Sequence, residues 1–455
     1  MSNLMAIILA AGKGTRMKSA LPKVLHHVGG KPMVQQVLDA AKYAGTARNI
    51  VVIGFGAQSV ADALAGQAEF AVQAEQLGTG HAVMQAREQL DNFDGTVMVL
   101  CGDTPLVTGE LLQTLYSEHE RTQAASTVLT AVMPDPSGYG RVIRTPSGQV
   151  VKIVEHKDAT LDELAVNEIN TGIYCFEAKK LLKALDGLTC DNAQGEYYLT
   201  DAVAVLSSQG HKVRAVNCDD YRDTLGINSR EQLAEAERLI RQRKLKSLMA
   251  GGVTIMDPAS TFIDSHVEIG QDTVIYPFTW IEGYCKIGAN SAIGPNSRIS
   301  NTMIGNGATI HFTYAHDCVI GDHVTVGPYV HLRPETQLKC GAKVGNFVEI
   351  KNSIVGQESK VPHLSYIGDT DMGDGVNIGS GTITVNYDGK EKYRTTIEEG
   401  AFIGCNTNLV APVTVGRDSY VAAGSTITKN VPPGSLGVAR ARQNNLEGWA
   451  EKHRR

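Results

Sequence analysis

Hydrophobic and polar positions follow two different rhythms along this chain. From residue 5 to about 228, short aliphatic runs alternate with apolar residues at helical spacing: Met5 to Leu9, Met33 to Ala41, Ile50 to Gly54, Val97 to Cys101. Strand and helix in alternation predict an α/β domain, Rossmann-like, with a mostly parallel sheet. Ser229 to Gln232 has the form of a capping box. Leu233, Ala236, Leu239 and Ile240 then recur at helical spacing, so a connecting helix is expected over 229–250.

After Gly251 the period becomes six. Aliphatics occupy Ile269, Ile275, Ile281, Ile287, Ile293 and Ile299, then Ile320, Val326, Leu332, Leu338, Val344 and Ile350, then Ile397, Ile403, Leu409, Val415, Val421 and Ile427. Glycine often follows the aliphatic, as in Ile293-Gly294, Val344-Gly345 and Ile403-Gly404. Each hexad supplies one short strand and one turn, with the aliphatic inward and the small residue expected to permit the turn. This is the signature of a hexapeptide parallel β-helix over 251–437, followed by a tail over 438–455. The longest break, Ile354 to Thr396, is expected to leave the coil as surface structure, because a solenoid can only expel an insertion outward.

Composition narrows the class. With 455 residues and 42% hydrophobic content, the chain can bury more than one core. Lys and Arg number 42 against 48 Asp and Glu, a formal charge of −6 without long runs of one sign, so neither a nucleic-acid nor a membrane-surface partner is expected. The eight cysteines form no C-x-x-C pair, which fits a reduced, cytoplasmic protein. The apolar run Leu4 to Ala11 lacks a basic leader, and no stretch approaches a membrane span, so no membrane insertion is expected.

The segment Leu9-Ala-Ala-Gly-Lys-Gly-Thr-Arg16-Met follows the first strand. Gly12 and Gly14 therefore lie where backbone N–H groups approach phosphates, and Arg16 and Lys23 add cations. Position 17 is methionine, so this is not a dinucleotide fingerprint, and no Walker loop is present.

Leu-Ala-Ala-Gly-Lys-Gly-Thr-Arg-Met with Leu21-Pro-Lys23-Val-Leu resembles the signature of sugar-1-phosphate nucleotidyltransferases. Gln73-Ala-Glu-Gln-Leu-Gly78-Thr79-Gly-His, Gly102-Asp103-Thr-Pro-Leu, Gly138-Tyr-Gly140-Arg, Val154-Glu155-His, Glu168-Ile-Asn170-Thr-Gly and Gly226-Ile-Asn228 narrow the likeness. With the hexapeptide half, the chain resembles the bacterial bifunctional N-acetylglucosamine-1-phosphate uridyltransferase/glucosamine-1-phosphate acetyltransferase family over nearly its whole length. The resemblance implies an α/β nucleotidyltransferase domain followed by a left-handed parallel β-helix, assembled as a homotrimer with acetyl sites between neighbouring chains. UTP, acetyl-CoA and Mg²⁺ would be used in making UDP-N-acetylglucosamine for envelope polysaccharides.

Carried over residue by residue, the resemblance implies that Leu9, Ala10, Ala11 and Gly12 hold the nucleotide. Arg16 and Lys23 would meet its phosphates, Gln73, Gly78 and Thr79 the uracil, and Cys101 and Gly102 the adjoining backbone. Gly140, Glu155 and Asn170 would grip the sugar, and Asp103 and Asn228 the Mg²⁺. In the β-helix His363 would be the general base, with Glu349 orienting it. Arg333, Lys351 and Lys392 would hold the sugar phosphate, and Tyr366 and Asn377 its polar groups. Asn386 and Tyr387 would stand on the acetyl-CoA side with Ser380, Cys405, Ala423 and Arg440. Three positions depart from the family pattern: Ser380 stands for alanine, Cys405 for serine and Cys101 for an aromatic residue. Two alternatives remain at this point. One is a single-activity nucleotidyltransferase with a structural β-helix, the other a non-catalytic assembly protein.

Overall fold

The computed structural model describes residues 3–91 and 93–454. The chain divides into two compact units after Ile240. In the first, a nine-stranded sheet is built from β1 (Leu4–Ala10), β2 (Arg48–Ile53), β3 (Glu69–Val72), β4 (Thr96–Cys101), β5 (Ser126–Val132), β6 (Arg141–Arg144), β7 (Val150–Val154), β8 (Glu168–Glu177) and β9 (Val213–Cys218), in the order β9-β5-β8-β4-β1-β2-β3, with β6 bridging β8 and β7. β8 runs antiparallel to both β4 and β5, while β9-β5 and β4-β1-β2-β3 are parallel. Leu4 to Ile8 are buried on both faces, as expected of an unbroken aliphatic run in the middle of a parallel sheet.

The helix Arg230–Ala250 follows. Ser229 Oγ accepts the Gln232 N–H at 3.2 Å, half of the expected capping box. The reciprocal bond goes one residue further back, from the Asn228 N–H to Gln232 Oε1 at 2.7 Å. Ala236, Leu239 and Ile240 pack in the first unit with Met33 and Ile227, while Leu245 and Leu248 join the core of the second.

The second unit is the left-handed parallel β-helix of hexapeptide repeats, with three walls of eleven, ten and nine short strands. The first wall runs from Thr254–Ile255 to Leu436–Gly437, the second from Thr261–Ile263 to Thr426–Ile427, and the third from Glu268–Ile269 to Val413–Val415. The aliphatics of all three walls form one buried column. Burial of each such side chain is worth about 1.5–3 kcal/mol.

Two expectations are corrected. The stretch 354–396 does not leave the coil as a whole. Strands continue through Ile354–Val355, Lys360–His363, Tyr366–Gly368, Thr370–Met372, Asn377–Ile378 and Ile383–Val385, and only residues 386–394 are expelled before Thr395–Ile397. The strict period is lost because a coil can drop a residue at a corner: Ile275 pairs with Ile293, 18 residues on, but Val344 with Val361 and Ile350 with Ile367, each 17 on. Nor do all the glycines that follow the aliphatics open a left-handed turn: Gly294 (φ +94°) and Gly327 (φ +114°) do, whereas Gly345, Gly379 and Gly404 do not. A Cβ on Gly379 would stand 2.5 Å from the backbone nitrogen of Cys405 in the next coil, so the latter glycines permit close stacking. Other left-handed corners fall later in each coil, and Phe312, Tyr329, Phe347, Leu364 and Asn406 occupy several of them.

Candidate functional site

In the first unit the chain leaves β1 for β2 and β3 on one side, then crosses to β4 on the other. Loops diverging from two adjacent strands open a crevice beyond their C-terminal ends. A cavity of about 250 Å³ lies there, lined by Leu9, Ala10, Ala11 and Gly12 from the end of β1, by Lys23, Gln73, Gly78 and Thr79, and by Cys101 and Asp103 from the end of β4. Gln76 and Glu196 also line it and escaped the sequence reading. Gly102 donates its N–H to Leu9 O at 2.9 Å and ties the two strand ends together.

Gly14 has φ +58°, and a Cβ there would stand 2.5 Å from Lys23 Cβ. The glycine therefore makes room for the lysine stem. Lys23 Nζ bonds both the Asp103 carboxylate and Asn228 Oδ1, the latter at 2.9 Å. The Ile227 N–H donates to Asp103 O at 2.9 Å, while the Asn228 N–H is held by Gln232, so the two loops are fixed to each other. Among the described residues no group of three His, Cys, Asp or Glu side chains forms a metal cluster. Asp103 and Asn228 nevertheless point two hard oxygens at one cation. That donor set fits Mg²⁺, which takes its remaining ligands from water and phosphate.

Gln73 is buried, and its Nε2 donates to Gly78 O at 3.2 Å and faces His81 Nδ1 at 3.1 Å, leaving the amide oxygen to accept from a ligand. Thr79 Oγ1 accepts the Leu199 N–H at 3.0 Å. Beyond Cys101, Gly140 O accepts the Asn170 N–H at 2.9 Å, and a Cβ on Gly140 would lie 3.5 Å from Glu155 Oε1, so these three expected sugar contacts adjoin. Burial holds the Glu155 carboxyl above its usual range, against a hydrogen bond from Thr200. Burial and then the Asp103 charge push the Cys101 thiol up to about 12, and it donates to Gly172 O at 3.5 Å. A neutral thiol there is a packing group. Arg16 stands exposed on the turn Thr15–Met17 and does not line the cavity; its charge is felt at Tyr139.

In the second unit the site is written in columns. Asn346, His363, Ser380, Cys405 and Ala423 each come two residues after an inward aliphatic of the first wall: Val344, Val361, Ile378, Ile403 and Val421. Coils stack about 4.8 Å apart. The residues implied for acetyl-CoA therefore continue the column that carries His363. Arg440 closes it, donating to Ala423 O at 2.8 Å.

His363 is exposed, and its Nδ1 lies 2.7 Å from Asn346 Oδ1, its register partner in the coil below. Glu349 does not make the expected contact. Its carboxylate takes Arg333 Nη1 at 2.9 Å, and its register partner is Tyr366. Strand alternation explains the difference: Glu349 stands on the second wall, whereas His363 stands at the corner before it.

The three expected cations do gather at the far corner of that wall. Contact with Lys392, then partial burial and the Arg333 charge, hold the Lys351 ammonium below its usual range, with Asp369 opposing. Three like charges held together favour a dianionic ligand. Asp369, buried and missed from the sequence, accepts from Asn352 Nδ2 at 2.6 Å and from Asn386 Nδ2. It thereby anchors the root of the expelled loop, which Asp388 braces by accepting the Lys390 and Glu391 N–H groups, each at 2.8 Å. Tyr387 bridges to Lys392 across that loop. Asn377 is not brought to this group, because it faces outward from the first wall and Tyr366 from the second.

Comparison with known proteins finds two family matches along the chain. Residues 5–271 match the nucleotidyl transferase family, and residues 394–429 match the bacterial transferase hexapeptide (six repeats). The chain is 54% identical over 447 residues to the "Bifunctional protein GlmU" of a Geobacillus species, covering 98% of this chain and 97% of that one. It is likewise 53% identical over 449 residues to the protein of that name from Geobacillus thermodenitrificans (99% and 98%) and 54% over 450 residues to that of Heliobacterium modesticaldum (99% and 98%).

Proposed function

The chain belongs to the family of bifunctional GlmU proteins, and from that membership we infer a two-site enzyme of UDP-N-acetylglucosamine synthesis. Its β-helix acetylates glucosamine-1-phosphate with acetyl-CoA. Its α/β unit then transfers UMP from UTP to the product and releases pyrophosphate.

In uridyl transfer the attacking oxygen of the sugar phosphate is already anionic, so no protein base is needed. What the chain must supply is alignment and charge. Lys23 brings an ammonium to the phosphates, Gln73 and Thr79 hold the base end, and Gly140, Glu155 and Asn170 hold the sugar. Asp103 and Asn228 are the residues to hold Mg²⁺, which would neutralise phosphate charge. Exposed Arg16 meets the outer phosphates.

In acetyl transfer the substrate amine attacks the thioester carbonyl, a C–N bond forms, and the coenzyme A thiol leaves. His363 Nε2 takes the proton from the attacking nitrogen. Arg333, Lys351 and Lys392 bind the phosphate, Tyr366 the sugar, and the column from Ser380 to Ala423 lies along the acetyl-CoA. Cys405 serves as a weak hydrogen-bond donor, since direct transfer uses no nucleophile. Tyr366 and Asn377 face outward from different walls, which supports a homotrimer in which one substrate touches two chains. Free cysteines and these substrates fit the cytoplasm, and among the described residues no helix is long and apolar enough to cross a membrane.

One observation carries the two-activity reading over a purely structural β-helix: the coil gathers Arg333, Lys351 and Lys392 at one corner, which no scaffold requires. The test is an incubation with glucosamine-1-phosphate, acetyl-CoA, UTP and Mg²⁺, omitting one component at a time. Free thiol should need only the first two, and pyrophosphate all four. Thiol release that never exceeds uncatalysed hydrolysis would leave a single-activity enzyme.

A further inference from the structure

We propose that Asn346 is the positioning residue of the acetyltransferase base, holding His363 in the one tautomer that can accept a proton. The proposal rests on His363 being that base. A carboxamide oxygen only accepts hydrogen bonds, so at 2.7 Å from Asn346 Oδ1 the imidazole must carry its proton on Nδ1. Nε2 is then unprotonated and free to take the ammonium proton.

The fold makes this contact difficult to lose. Asn346 and His363 are register partners in adjacent parallel strands, and the Leu364 N–H donates to Asn346 O at 3.0 Å. On the other side, Ser365 Oγ donates to the His363 carbonyl at 2.7 Å. Gly345, just before the asparagine, makes room for the Pro362 backbone to pass closely overhead.

The partner is neutral, and that has a consequence for pH. Glu349, on the second wall of the coil below, is engaged by Arg333. Lys360 lies on the histidine's own strand, Lys343 on the strand beneath, Tyr366 on the next strand of its own coil, and Ser380 two residues after Ile378 in the coil above. An anion in place of the Asn346 carboxamide would favour the imidazolium over the neutral base.

The experiment compares Asn346→Ala, Asn346→Asp and His363→Ala in the full-length enzyme, following thiol release against pH at saturating substrates. Asn346→Ala should lower kcat about 10- to 100-fold, the usual cost of losing such a partner, with both KM values within threefold of the parent. Asn346→Asp should keep more activity than Asn346→Ala and move the acidic limb of kcat upward by about one pH unit, because the anion favours the imidazolium. Should Asn346→Ala fail to fold, the Asp variant decides alone, and an unmoved limb overturns the proposal. So does an Asn346→Ala enzyme within twofold of the parent. If His363→Ala is itself near normal, the general-base reading fails instead.

Discussion

The two units solve the same problem, gathering charges around a sugar phosphate, by opposite means. In the α/β unit Lys23 reaches Asn228 across 205 residues of sequence, because loops from distant strands meet above the sheet. In the β-helix Asn346 meets His363 across 17 residues, one turn of the coil. The first site depends on how the whole sheet is ordered. The second depends on phase within a repeat. A substitution in one should therefore leave the other's chemistry standing.

That independence can be broken in order of expected effect. Asp103→Ala should abolish uridyl transfer, by 10³-fold or more in pyrophosphate release, while thiol release stays within twofold. His363→Ala should lower thiol release by about 10²- to 10⁴-fold and spare pyrophosphate release from supplied N-acetylglucosamine-1-phosphate. Gly14→Ala drives a methyl into the Lys23 stem and displaces the ammonium, so uridyl kcat should fall about 10²-fold with the fold intact by circular dichroism. Lys392→Ala, removing one of three clustered cations, should raise the acetyltransferase KM for glucosamine-1-phosphate roughly tenfold. Ile350→Ala, in the buried column, should destabilise the β-helix by about 2–5 kcal/mol and lower its melting temperature while the uridyl unit melts as before.

The same contrast explains what could be read from sequence. Burial writes itself into hydrophobic pattern, so β1, β2, β4 and the hexad column were legible, each strand to within about two residues. The family motifs located Lys23, Asp103 and Asn228, but nothing local says that one ammonium joins them. In the β-helix a strict period stops at Ile350, since coils of 17 residues slip the phase, and the continuous stretch 354–385 looks irregular. The family resemblance points to Glu349 as the residue that orients His363. Register decides otherwise, and Val344-Gly345-Asn346 and Val361-Pro362-His363 carry the signal, each polar residue two places after its inward aliphatic. Asp369 and Thr200 leave no such mark, because Asp369 accepts hydrogen bonds from Asn352 and Asn386 on neighbouring coils and Thr200 gives one to Glu155, 45 residues away.

The central claim, two sites that work in sequence but not together, is tested most directly by mixing. Purified Asp103→Ala and His363→Ala proteins are combined with glucosamine-1-phosphate, acetyl-CoA, UTP and Mg²⁺, and UDP-N-acetylglucosamine is measured. Neither variant alone should make it, and the mixture should, because one supplies the acetylated intermediate and the other consumes it. A mixture as inactive as its components, from two folded proteins, would contradict the account.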